Sequence, residues 1–198
     1  METIKLDYEM AANCLGDFEE LPHRARELLV SYMFYEMENR KEITIIDFIT
    51  VYFCFNSRYY KSPIEIIYAL AIYIVLNDLP CPECELFAPD IQVKITTNNK
   101  NYIVDFVFDT SDIKGIYRDN DYKLIVECDG HEFHKKTKEQ IAHDNQRDLD
   151  LKSAGYDILH FSGSQIYRDP YKCAKDTIDY LISKIGSFYF VGVGNEKH

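Results

Sequence analysis

The stretch that decides the fold is residues 125–161, IVECDGHEFHKKTKEQIAHDNQRDLDLKSAGYDILHF. It begins inside an apolar run, Lys123 to Cys128, with little alternation, the pattern of a central strand. Glu127 and Asp129 stand at the end of that run and Gly130 follows it. A charged segment from about Lys136 to Ala154 reads as a helix, with Gly155 suited to the position just past its last turn. Asp157 to Phe161 then returns to strand character.

Upstream, Ile91 to Thr96 alternates, with Ile91, Val93 and Ile95 expected inward and Gln92, Lys94 and Thr96 outward. Asn98-Asn99-Lys100 is a turn, Tyr102 to Phe108 is the partner strand, and Asp109 to Asp121 is a polar loop. Before them, Ser62-Pro63-Ile64-Glu65 opens a buried helix, with Ser62 as N-cap, Pro63 at the first helical position and Glu65 closing a capping box. Downstream, Asp169-Pro170 opens a last helix to about Ile185, and Ser187 to Val193 fits an edge strand. The order is helix, three strands, helix, strand, helix.

Residues 1–60 have a different character. Pro22 to Asn39 has near-helical apolar spacing, and Ile43 to Phe55 is an apolar run whose length favours helix over strand. We therefore expect a helical N-terminal extension over 1–60, packed on an α/β domain over 61–198.

The 198 residues carry 22 Lys and Arg against 33 Asp and Glu, a formal net charge of -11. A protein that coats DNA through its phosphates would be basic, so that class is excluded, whereas an enzyme with a local nucleic-acid footprint is not. No signal peptide and no apolar run long enough for a bilayer are present, which predicts a cytoplasmic protein with no membrane partner. The six cysteines are scattered and expected to be reduced. Cys81 and Cys84 have knuckle spacing, but a structural zinc needs four ligands and no second such pair exists.

The chemistry-bearing feature is a set of acids on neighbouring elements. Asp105 interrupts the apolar strand YIVDFVF, and Glu127 and Asp129 end the next one. Burying carboxylates costs free energy unless they are paired, hydrogen-bonded or bound to a cation. Oxygen ligands of this kind suit Mg²⁺ or Mn²⁺ at a phosphate substrate. The alternative is that Asp105 pairs with a lysine while Glu127 and Asp129 are simply solvated.

Glu65 on the first helix, Asp105 on the second strand and Glu127-Cys128-Asp129 on the third resemble the motif order of the PD-(D/E)XK nuclease superfamily. The longer segment 125–161, with its acid-x-Asp-Gly turn, the following His and an Asp-x-x-Arg-Asp helix, is similar to the branch of very-short-patch-repair endonucleases. The likeness spans roughly residues 62–182. It implies a restriction-endonuclease-like core, a mixed β-sheet flanked by helices, and a metal-dependent endonuclease acting on DNA, with RNA open. Asp105 and Glu127 would be the metal ligands, and Glu65 an accessory acid reaching the metal through water. Asp129 stands where most of the superfamily has lysine, so Asp129 or His134 would orient the attacking water, with His131 a weaker candidate. Arg147 would hold an active-site carboxylate or a backbone phosphate; as an ordinary surface residue it would pair with Asp144. Lys135, Lys136 and Lys138 would meet the DNA backbone, or form a solvated face. The other reading of the whole chain is a non-catalytic nucleic-acid- or protein-binding module on the same fold.

Overall fold

The computed structural model describes residues 22–28, 31–32, 60–78, 88–97, 100–111, 116–130, 137–186 and 188–190. Helix α1 spans Pro63–Asp78, and strands β1 (Asp90–Thr97) and β2 (Lys100–Asp109) form a hairpin. Strand β3 (Ile116–Arg118) precedes β4 (Lys123–Asp129). Helix α2 (Lys138–Ser153) leads to β5 (Asp157–Ser162), and α3 (Gly163–Arg168), α4 (Pro170–Ile185) and β6 (Phe188–Phe190) complete the order. The main sheet has the order β1-β2-β4-β5. Both β1 with β2 and β2 with β4 are antiparallel, while β5 runs parallel to β4, so the sheet is mixed, as expected.

Two expectations are corrected. The polar loop 109–121 contains β3, which pairs with β6 in a separate two-stranded sheet. Residues 188–190 therefore do not edge the main sheet. The short helix α3 was also not foreseen; Ser162 caps it, accepting from the Gln165 amide.

The two faces of the sheet bury different cores. On one face α1 and α4 cover Phe106, Phe108, Leu124 and Val126. Helix α1 is apolar nearly all round, and residues 65–72 are all buried, as a helix between a sheet and a second helix must be. Tyr68 is fully buried there, and its hydroxyl meets Thr177 Oγ1 of α4 at 2.8 Å. Ala25 and Leu28, from a helical stretch at 23–28, join this core, so that part of the N-terminal region packs on the domain. The rest of the expected extension, including Ile43 to Phe55, lies outside the described residues.

On the other face α2 contributes Leu151 to a smaller core with Ile95, Val104, Val107 and Ile125. Thr137 caps α2 in a full capping box with Gln140, and Gly155 follows the helix at φ 91°. That left-handed conformation is the reason a glycine stands there.

The expected alternation of β1 fails at one residue. Ile91 packs on the α1 side, whereas Val93 and Ile95 pack on the α2 side. Gln92 lies between them at φ 51°, the only non-glycine with positive φ among the described residues. Opposite it, β2 changes face too: Tyr102 and Val104 face α2, but Phe106 and Phe108 face α1. The pairing sum is the same on both sides of the irregularity, Ile91 with Phe106 and Val93 with Val104, so no residue is inserted. The hairpin twists through its own plane at Gln92 and Asp105.

Candidate active site

Asp105 sits where β2 and β4 part. Their pairing runs from Asp109 opposite Lys123 to Phe106 opposite Val126 and stops there. In place of the next ladder bond, Asp105 Oδ2 accepts from the Cys128 backbone amide at 2.9 Å. The carboxylate thus holds the end of β4 while leaving it separated from β2.

Glu65 approaches from α1. It is 4% exposed. Its Oε1 accepts from the Ser62 hydroxyl at 2.8 Å and its Oε2 from the Lys61 amide at 3.0 Å. The helix-capping expectation holds, with the Lys61 amide in place of the Ser62 amide. The same Oε2 also accepts from Gln92 Nε2 at 2.8 Å, and that nitrogen lies 3.3 Å from Asp105 Oδ1. Gln92 is therefore not an outward residue of β1; the left-handed turn of its backbone brings its amide between two carboxylates. Burial raises the Glu65 pKa, and the charge on Asp105 adds to the rise.

Glu127 lies on the α2 side of β4. Burial pushes its pKa up to about 7, with Asp105 contributing, against the lowering effect of Arg147. Arg147 reaches from α2 and donates through one nitrogen to Glu127 Oε1 and to the Ile103 carbonyl, the latter at 3.0 Å. Arg147 thus meets a carboxylate, one of the destinations expected for it, and Asp144 lies 3.8 Å from His143.

Asp129 shares the face of Glu127, as the period of two required. Its Oδ2 lies 3.1 Å from His160 Nδ1, and His160 Nε2 lies 3.2 Å from Asp148 Oδ2 of α2. Both imidazole nitrogens face carboxylates, which calls for a proton on each. The hydrogen bond to Asp129 first, then the charges of Asp129 and Asp148, raise the His160 pKa above the ordinary value, against burial. The sequence leaves a phosphate or an ion-pair contact open for His160, and the structure shows ion pairs. The available signal was a polar residue in the apolar strand DILHF that aligns with Glu127 once β4 and β5 are paired.

Glu65, Asp105, Glu127 and Asp129 thus converge at one end of the sheet, with Gln92, Arg147 and His160 between them. His131, His134, Lys135 and Lys136 lie outside the described residues, as do Cys81 and Cys84. Lys138 opens α2 and is exposed. Cys128 packs against the α1 core, in line with a strand-packing role. Gln146 donates to the buried Asp150 at 2.8 Å; Lys100 and Tyr102 donate there as well. Among the described residues, no group of three or more His, Cys, Asp or Glu is arranged to hold a metal, and no helix is long and apolar enough to cross a membrane.

Residues 84–181 match the model of a protein family described as REase_MTES_1575, a restriction-endonuclease-like family. Neither curated proteins nor solved structures gave a match. The family match, falling on a mixed four-stranded sheet with flanking helices, supports membership of the restriction-endonuclease-like superfamily.

Proposed function

We propose that the chain is a metal-dependent endonuclease that hydrolyses phosphodiester bonds in DNA, of the kind found in the branch of very-short-patch-repair endonucleases. The observation that carries this reading is the convergence of Asp105 and Glu127 where β2 and β4 separate, with Glu127 held near neutrality by burial and by Asp105. A buried carboxylate whose charge is disfavoured by a neighbouring carboxylate suits a divalent cation, and hard oxygen donors in small number suit Mg²⁺ or Mn²⁺. Asp105 and Glu127 would hold the ion. When bound, it would polarise a phosphoryl oxygen and lower the pKa of a water. Arg147 orients Glu127, and His160 orients Asp129, the residue at the usual lysine position. Asp129 or His134 directs the water toward phosphorus, and Lys135 and Lys136 meet the DNA backbone. A net charge of -11 makes non-specific affinity weak and steeply dependent on salt.

The test is cleavage of supercoiled, linear double-stranded and single-stranded DNA with Mg²⁺ or Mn²⁺, alongside RNA, by wild type, Asp105→Ala and Glu127→Ala. Metal-dependent cutting of DNA, lost in both variants, is the expected result. Preferential cutting of RNA would overturn the substrate assignment, and no cutting by folded wild type would overturn the activity.

One observation favours a second reading, a non-catalytic binding module. Arg147 already neutralises Glu127 and Gln92 already bridges Glu65 and Asp105, so the acids are partly satisfied without an ion. In that case divalent metal leaves the melting temperature unchanged, whereas a bound ion raises it by mass action.

A further inference from the structure

Gln92 has a role that neither the acid motif nor the family match assigns, and three independent features point to it. Its backbone is left-handed at φ 51°, a conformation that costs a non-glycine residue of order 1 kcal/mol or more and persists where surrounding structure imposes it. Both strands of the hairpin change face at this point, and the change carries the Gln92 side chain inward. Finally, Nε2 is shared by Glu65 and Asp105, while Oε1 is buried with no hydrogen-bond partner among the described residues.

The orientation of the amide follows from the chemistry. The nitrogen must face the two carboxylates, because turning the oxygen toward them would set three acceptors together. That leaves the acceptor end buried, where an unmade hydrogen bond costs about 1–3 kcal/mol. No donor among the described residues meets it, so a donor entering the site could. In a metal centre built on Asp105, such a donor is a water bound to the cation, since water on a cation has its hydrogens directed outward.

We propose that Gln92 is a positioning residue of the metal site: its Nε2 fixes Glu65 and Asp105 in one mutual orientation, and its Oε1 accepts a hydrogen from a cation-bound water. The inference rests on the metal-dependent reading above and extends it to a residue outside the acid motif. Residues that orient ligands in this way typically change metal affinity or activity by about 10–100-fold when replaced.

The test uses the full chain. Mn²⁺ binding is measured calorimetrically without DNA for wild type, Asp105→Ala, Gln92→Met and Gln92→Gly. Methionine keeps the length of the side chain and removes both hydrogen-bonding ends. Glycine accepts the left-handed backbone, so it tests the same loss if the methionine variant does not fold. Wild type is expected to bind, Asp105→Ala to fail, and each folded Gln92 variant to bind at least about tenfold more weakly. In cleavage, the Gln92 variants should need correspondingly more Mg²⁺ for half-maximal rate and recover rate at saturating Mg²⁺, a split that general loss of structure does not produce. Wild-type Mn²⁺ affinity and Mg²⁺ dependence in folded Gln92 variants would overturn the proposal and leave the nuclease reading standing. Absence of both Mn²⁺ binding and cleavage in wild type would overturn the two together.

Discussion

The two ends of the β2–β4 pair are built on opposite rules. At one end, Phe106 to Asp109 lie in unbroken register with Lys123 to Val126, and Phe106, Phe108, Leu124 and Val126 are buried against the α1 core. At the other end the ladder stops, a side chain takes over a backbone acceptor role, and Asp105 and Glu127 replace apolar residues. At the paired end the backbone register is unbroken and the inward side chains pack apolar against apolar. The open end gathers carboxylates from α1, β2 and β4 and balances them with Gln92, Arg147 and His160. On the proposed function, one strand pair carries cohesion at one end and reactivity at the other, and substitutions at the two ends should separate stability from activity.

The largest separation is expected from Asp105→Ala. If Asp105 holds the metal as proposed, its loss removes several kcal/mol of charge stabilisation in the transition state, so cleavage should fall by about 10³-fold or more. Stability should change little. The Cys128 amide loses its acceptor, at a cost of about 1 kcal/mol, but Glu65 and Glu127 lose a like-charged neighbour. Denaturant unfolding alongside a cleavage assay checks both halves. A large stability loss in this variant would break the division between the two ends.

The mirror experiment is Phe106→Ala, one residue along the same strand. Phe106 is fully buried and lies 5.0 Å, ring centre to ring centre, from Tyr68. Truncation should destabilise the fold by about 3–5 kcal/mol. At a temperature where the variant is still folded, its rate per folded molecule should stay near wild type.

A third effect distinguishes the ends by pH. Glu127 titrates near 7 in the fold, against about 4.3 in an unfolded chain. Its proton is held more tightly in the native state, so the stability it confers is complete below about pH 4.3 and is lost as pH rises through 7. The full loss is roughly 4 kcal/mol. Glu65, with its pKa raised by burial, adds a smaller loss in the same direction, as does His160, raised by Asp129, above its unfolded value of about 6.5. Asp109, Asp150 and Asp157 have lowered values, and their contribution is gained in acid and complete before this window opens. Without divalent metal, the melting temperature should therefore fall from pH 5 to pH 8, and Glu127→Gln should remove most of that fall. An equal fall in Glu127→Gln would assign it to other groups.

How far the sequence could be read follows the same division. The paired end depends on local patterns: apolar runs, the Asp169 cap, and the glycine after α2. Asp105, Glu127 and Asp129 were legible because an acid inside or at the end of an apolar strand is locally conspicuous. Gln92 was not, because period-two reasoning assumes that a strand keeps its faces. From Tyr102 to Phe108 every residue except Asp105 is apolar, so the change of face leaves no trace in the pattern. The destinations of Arg147 and His160 depend on how α2 and β5 lie against β4, which no local pattern encodes. Likewise, β3 and β6 are three residues each and have meaning only as a pair.

The smallest effect tests whether the turn that launches β5 belongs to the paired end. Beyond Gly155, β5 begins with Asp157 opposite Leu124 and Ile158 opposite Ile125, alongside the ordered half of β4; His160 to Ser162 run alongside the open half. A Cβ on Gly155 would meet nothing within 4 Å, so the cost of substitution is confined to its backbone at φ 91°. Gly155→Ala should therefore destabilise by about 1–2 kcal/mol. Gly155→Asn should cost less, because asparagine enters the left-handed region more readily. Neither change should alter the rate of cleavage at saturating Mg²⁺. A loss of rate without a loss of stability would mean that the pitch of β5 is transmitted to His160 and Asp129, and that the ends of the strand pair are mechanically coupled rather than separate.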